Sequence, residues 1–311
     1  MTELKAQDGS AASPVCFGCM QFGGTADAAA SQAMYEACRG AGVTFFDTAH
    51  MYTEGAAEEL LGGFVAQESE QLIIATKAGY TGGSGRANIL AQFDESRKRL
   101  KLDRVDILYL HRWDETTPLE ESFETLSELQ QAGAVRHIGV SNFAAWQVMK
   151  AQAVAARFGT RIDILQPMYS LVKRQAEVEI LPMALSEGMA VAPYSPLGGG
   201  LLTGKYQTGG TGRLSTNERY ATRYGQPWMH ETAAALTKIA AEMGVAPATL
   251  AVAWASKNPA VTAPIISARN TEQLAPSLAA QTLALSDEAY ARIEEVSQRP
   301  APATDRLEEA G

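Results

Sequence analysis

Apolar residues along this chain gather in short runs at a nearly regular interval. The runs cover 15–20, 43–46, 72–76, 105–110, 135–140, 162–165, 189–192 and 261–266, and they are rich in β-branched and aliphatic residues. Their starts are separated by 28, 29, 33, 30, 27, 27 and 72 residues. Most are continuously apolar rather than alternating, which predicts strands buried on both faces. The intervals hold segments such as LEESFETLSELQQAG, with apolar residues three and four apart and a closing glycine, which predict helices. Strand then helix at a period near 30 residues means parallel strands joined by crossover helices. Eight such units predict a (β/α)8 barrel in a single domain over 1–311. A doubly wound sheet is the competing α/β arrangement, but its G-x-G-x-x-G fingerprint is absent.

The last interval is too long for one crossover. Its first part, 195–229, is predicted to be a long loop on the C-terminal face of the barrel, followed by helices at 231–243 and 247–258. A final helix and tail, 286–311, are expected as an appendage.

Polar residues stand where the apolar runs stop, and in a barrel those positions face the active site. Asp47, Lys77, His111, Ser141, Asn142, Gln166 and Ser267 occupy six strand ends. Singly, each has an ordinary explanation as a helix cap, a solvated charge or a core histidine. A carboxylate, an ammonium and an imidazole from consecutive strands must nevertheless crowd round one axis, where desolvation couples their protonation. Paired with Asp47, Lys77 is expected to stay charged and to favour ionisation of Tyr52, five residues after Asp47, making that tyrosine the proton donor.

Composition narrows the alternatives. With 26 Lys and Arg against 35 Asp and Glu, a net charge of −9 and no basic block, the chain has no nucleic-acid footprint. There is no apolar leader and no 18-residue apolar run, so neither a membrane span nor export is expected, and a cytoplasmic location is. Cys16 and Cys19 spell C-x-x-C, yet no helix begins between them, which argues against a redox pair. His50, His111, His137 and His230 lack metal-site spacing, so no metal is expected. The run GGLLTGKY nearly matches a nucleotide-triphosphate loop, but Tyr206 replaces the magnesium-binding hydroxyl. What remains is a glycine-rich loop able to wrap phosphate with backbone amides.

Taken in order, GVTFFDTAHMYTEGAAEELLG, IATKAG, LDRVDILYLHRWD, VRHIGVSNF and YSPLGGGLLTGKY resemble the aldo-keto reductases from Val15 to about Ala280. The resemblance implies NADPH-dependent reduction of an aldehyde or ketone, with Asp47, Tyr52, Lys77 and His111 as the catalytic tetrad. It further implies cofactor contacts from Ser141, Asn142, Gln166, Tyr194, Ser195, Pro196, Leu197, Gly199 and Lys205. IISARNTEQLAPSLAA places Ser267, Arg269 and Gln273 where the family reads the adenosine 2′-phosphate, which favours NADP over NAD. Pro276 and Ser277 depart from the family's Glu-Asn against the adenine, and Thr53 replaces a glycine, predicting a narrower mouth.

For the substrate, a small carbonyl compound, Met20, Tyr52, His111, Trp113 and Trp228 are the expected contacts. Phe22, Tyr220 and Tyr224 would extend an aromatic wall, and Arg213, Arg219 and Arg223 would meet an anionic group or solvent. Two other functions fit the same residues: a lyase forming a Schiff base through Lys77, and a nucleotide-binding regulatory subunit like the channel-associated members of the family. Oligomeric state is open.

Overall fold

In the computed structural model, which describes residues 1–309, all eight apolar runs form strands. They are β1 Cys16–Gly18, β2 Phe45–Asp47, β3 Ile73–Ala78, β4 Val105–Leu110, β5 Val135–Ser141, β6 Ile164–Gln166, β7 Ala190–Val191 and β8 Ile265–Ile266. Every pairing is parallel, in the order β7-β6-β5-β4-β3-β2-β1-β8. The two ends of this sheet meet: Ile265 N–H donates to Pro193 O at 2.8 Å, and Thr262 N–H to Val191 O at 2.8 Å. The arrangement is an α/β fold consistent with a (β/α)8 barrel.

Strand periodicity divides the buried residues into two cores. Phe45, Ile73, Ala75, Ile107, Tyr109 and Ile164 fill the interior, whereas Phe46, Ile74, Leu108 and Leu165 face the helices. Gly139 is required by this interior, because a Cβ there would lie 2.3 Å from the Tyr109 ring. Leu4 and Ala6 join the interior from below, on a small hairpin bridged between Lys5 and Ala11. The N-terminal stretch is therefore a plug for the barrel floor, a role its polar composition did not signal.

Helices Ala28–Gly40, Ala56–Val65, Arg86–Leu100, Leu119–Gln131, Ala145–Arg157 and Ile180–Ser186 follow the first six strands. Asp27 caps the first of them through the amide of Ala30. The segment predicted as a long loop carries short turns and helices: Gly198–Thr203, Lys205–Thr208, Arg213–Thr216 and Glu218–Tyr224. Its glycines mask the helical period, which is why the pattern looked irregular. The next helix begins at Pro227, ahead of the expected start, with proline tolerated in the first turn.

The C-terminal helix Asp287–Glu295 is bound to the body by a buried cluster. Glu294 accepts from Arg174 at 2.6 Å and from the Trp254 indole at 2.8 Å, and Trp254 stacks on Tyr290. Residues 310–311 of the expected tail lie outside the described residues. Among the described residues no single helix is long and apolar enough to cross a membrane.

Candidate active site

Parity along the strands explains how the polar strand ends converge. Asp47 lies two residues after Phe45, Lys77 two after Ala75, His111 two after Tyr109 and Gln166 two after Ile164, so all four share the inward phase. Asp47, Lys77, His111, Ser141 and Gln166 are buried, and each stands at or just past the C-terminal end of its strand.

The hydrogen bonds form one connected set. Lys77 Nζ donates to Asp47 Oδ2 at 2.5 Å, to Thr48 O at 2.7 Å and to Tyr52 Oη at 3.3 Å. These use the three N–H donors of an ammonium. Gln166 Nε2 donates to the other Asp47 oxygen at 2.8 Å, so both carboxylate oxygens are engaged. Burial works against the Lys77 charge, but Asp47 and Tyr52 hold its pKa above the usual lysine value. Burial pushes the Tyr52 hydroxyl above the usual tyrosine value, and Lys77 offsets this only in part. Lys77 acts in the expected direction, but desolvation is the larger effect and leaves the hydroxyl above its usual value.

His111 stands edge-on to Tyr52, with ring centroids 5.7 Å apart, and its Nδ1 is buried without a hydrogen-bond partner. Burial, together with the charges of Lys77 and Arg112, pushes its pKa down to about 2, so the imidazole is neutral at physiological pH. Tyr80, which sequence reasoning missed, also packs against His111, with ring centroids 4.9 Å apart. Only its place three residues beyond Lys77 could have drawn attention to it.

A second network holds the loop that carries Tyr52. Arg99 Nη1 donates to His50 O at 2.9 Å and pairs with the buried Glu58 at 3.3 Å, while Nη2 pairs with Glu95 at 2.6 Å. Glu58 also accepts from Thr76, the neighbour of Lys77, at 2.6 Å. One carboxylate therefore ties β3 to the Tyr52 loop. Thr53 and Glu54 follow Tyr52 in left-handed conformations, with φ of 46° and 57°. The Thr53 hydroxyl donates to Phe22 O at 2.8 Å and its methyl faces Gly24, so the added bulk is absorbed against the β1 loop and does not narrow the mouth as expected.

The expected cofactor residues lie mostly on the second half of the barrel. Asn142, with φ 59°, donates to His111 O at 3.0 Å and accepts from the Tyr194 hydroxyl at 2.7 Å. Ser141 donates to Gln166 O at 3.0 Å. Ser195 is left-handed, Pro196 is buried and Leu197 half-buried. Gly199 has φ 65°, and a Cβ there would strike Tyr220 at 2.8 Å. The amides of Gly198, Gly200 and Leu202 already donate to Ser195 and Leu197 carbonyls, leaving fewer backbone donors for a phosphate than the glycine count suggested.

Cations supply the remainder. Partial burial and the neighbouring charges of Arg269 and Arg213 depress the Lys205 pKa, and none of the three has a carboxylate partner among the described residues. Ser267 Oγ is buried without a partner. Such a set fits a phosphorylated nucleotide. Gln273 sits in the first turn of helix Thr271–Leu278, its amide held by Asn270. Ser277 is buried with an unpartnered hydroxyl.

Substrate-side expectations divide. Trp113 makes edge contacts with Phe143 at 5.2 Å and with the exposed Trp146 at 5.6 Å. Met20 is half-buried just past β1. Phe22 and Tyr224 are fully buried core residues, not parts of a wall. Trp228 begins the helix Pro227–Glu242 and bonds Gln226, with no ring contact to Tyr52 or His111. Among the described residues no three His, Cys, Asp or Glu side chains gather as a metal site.

A tyrosine on a buried lysine-aspartate pair thus faces a neutral histidine, beside a cationic loop. The sequence model of the aldo/keto reductase family matches residues 14–298, and the chain belongs to that family. Its relatives include a protein of Oryza sativa subsp. japonica named probable voltage-gated potassium channel subunit beta, 34% identical over 89% of this chain and 90% of the relative. Uncharacterized oxidoreductase YrpG of Bacillus subtilis is 32% identical over 93% of each chain. Norsolorinic acid reductase stcV of Emericella nidulans is 33% identical over 91% of this chain and 78% of the relative.

Proposed function

We propose that this protein reduces an aldehyde or ketone to the alcohol with NADPH, using Tyr52 as the general acid. The observation that carries the reading is the chain Asp47–Lys77–Tyr52, whose bonds of 2.5 and 3.3 Å end at the tyrosine hydroxyl opposite His111. Bound NADPH would supply the hydride for the carbonyl carbon. Tyr52 gives its proton to the carbonyl oxygen, and the adjacent Lys77 ammonium stabilises the phenolate left behind. Asp47, fixed by Gln166, keeps Lys77 charged. His111, being neutral, orients the oxygen with an N–H and adds no competing positive charge.

Asn142, Ser141, Gln166 and Tyr194 would hold the nicotinamide end of the cofactor, and Lys205, Arg213, Arg269 and Ser267 its phosphates. The isolated cations around Lys205 support NADPH over NADH. Oxidation of NADPH and of NADH with a panel of aldehydes tests the proposal. Turnover much faster with NADPH is expected, and equal rates would remove the cofactor assignment.

The rice relative's name favours a second reading, a nucleotide-binding subunit that turns over little. Tight NADPH binding without turnover on any aldehyde would select it. A Schiff-base lyase has less support, since all three Lys77 donors are committed as an ammonium.

A further inference from the structure

The chain carries a net charge of −9, and most of its buried or half-buried arginines are matched to carboxylates. Arg112 stands outside that group. It follows His111 directly, is exposed, and has no carboxylate partner among the described residues. Nearby Asp114 is already occupied by Ser84, Thr116 and Thr117.

Its position is fixed without an acid. The guanidinium lies over the Tyr80 ring at 4.9 Å, and that ring packs against His111 at 4.9 Å. These successive contacts put the cation within about 10 Å of the imidazole, on a planar support that leaves its N–H edges free. Arg223, by contrast, is spread over Tyr220 on the cofactor-loop side. Trp113, the next residue after Arg112, packs edge-on against the exposed Trp146 that follows β5.

We propose that Arg112 is a specificity-determining residue that selects carbonyl substrates carrying an anionic group, a carboxylate above all, at the end away from the reacting carbonyl. A benzene ring or a short alkyl chain spans the distance from His111 to the guanidinium. With the carbonyl oxygen at Tyr52 and His111, a carboxylate on the far side meets the free edge of Arg112 in a charge-assisted pair. A neutral compound of the same shape gains nothing there. The inference rests on the reductase reading and gives that site its substrate class.

The test compares 4-carboxybenzaldehyde with its methyl ester, measuring kcat/KM for NADPH oxidation in the wild type, Arg112→Gln and Arg112→Glu. About a five- to tenfold preference for the carboxylate over the ester is expected in the wild type, and this ratio, taken within each variant, is lost in Arg112→Gln and reversed in Arg112→Glu. Equal rates in the wild type, or a preference that survives Arg112→Gln, would overturn the proposal while leaving the reductase reading intact. If neither aldehyde is reduced, the reductase reading fails first. Arg112 is then judged by tryptophan-fluorescence titration with 4-(hydroxymethyl)benzoate and its methyl ester: tighter binding of the anion that disappears in Arg112→Gln supports the selection, and equal binding overturns it.

Discussion

The two halves of the barrel are built differently. Strands β3, β4 and β5 run for six, six and seven residues and present Lys77, His111 and Ser141 at their ends. Strands β7 and β8 are two residues each, and the chain that leaves β7 runs through glycine turns and short helices from Gly198 to Tyr224, bearing cations without carboxylate partners among the described residues, before the long helix Pro227–Glu242. The first half fixes reacting groups by buried hydrogen bonds. The second half offers charge on a scaffold of local turns held mostly by bonds between near neighbours in sequence. Proton transfer tolerates little misplacement, whereas a large polyanionic cofactor supplies much of the order its own site lacks.

Substitutions in the two halves should therefore fail in different ways. The largest loss is expected for Tyr52→Phe: turnover falls by roughly 10²–10⁴-fold while NADPH still quenches tryptophan fluorescence. Retained turnover would remove Tyr52 from the mechanism. Lys77→Met should lose comparable turnover and also cost about 3–5 kcal/mol of stability in denaturant titration, because Asp47 is left as a buried unpaired charge. On the other side, Lys205→Ala with Arg269→Ala should raise KM for NADPH by about ten- to a hundredfold and leave KM for NADH and the unfolding midpoint almost unchanged. A matching change for NADH would mean that the cations do not read the extra phosphate.

Smaller effects sharpen the contrast. Arg99→Met frees the His50 carbonyl and leaves Glu58 with Thr76 but without its counter-charge, so kcat should fall about tenfold with KM for NADPH unaltered, and Arg99→Lys should recover part of it. A pure loss of stability with unchanged kcat would make that network structural only. The smallest effect concerns acid. His111 has a lower pKa folded than unfolded, so the unfolded chain binds the extra proton first as pH drops. Its contribution to stability is complete above about pH 6.5 and declines by at most roughly 1.4 kcal/mol for each pH unit below that. In His111→Gln, thermal unfolding scans should show a shallower decline over this range.

Much of this was legible from residue pattern because two periodicities coincide. The 30-residue unit marks strand and helix, and the two-residue strand phase sends Asp47, Lys77, His111 and Gln166 inward after the last apolar residue. What stayed hidden depends on contacts between distant positions. Glu58 and Arg99 are 41 residues apart, and neither position alone differs from an ordinary surface charge. Leu4 and Ala6 are two apolar residues in a polar stretch, too few to signal a floor for the barrel. The turns between Gly198 and Tyr224 escaped because glycine supplies positive φ where a helical pattern would break. Arg112 was quoted within a motif, yet only its stacking on Tyr80 gives it a direction.

The seam between β7 and β8 has a consequence for synthesis. A ribosome delivers β1 through β7 long before β8, and Ile265, which closes the sheet, pairs with both Cys16 on β1 and the backbone at Pro193. Until some 266 residues have emerged, β1 remains an open edge and the interior around Phe45 and Tyr109 lacks its last wall. Any nascent chain that pairs its first seven strands early leaves this edge open, and an unpaired strand edge invites pairing with a neighbour on the same message.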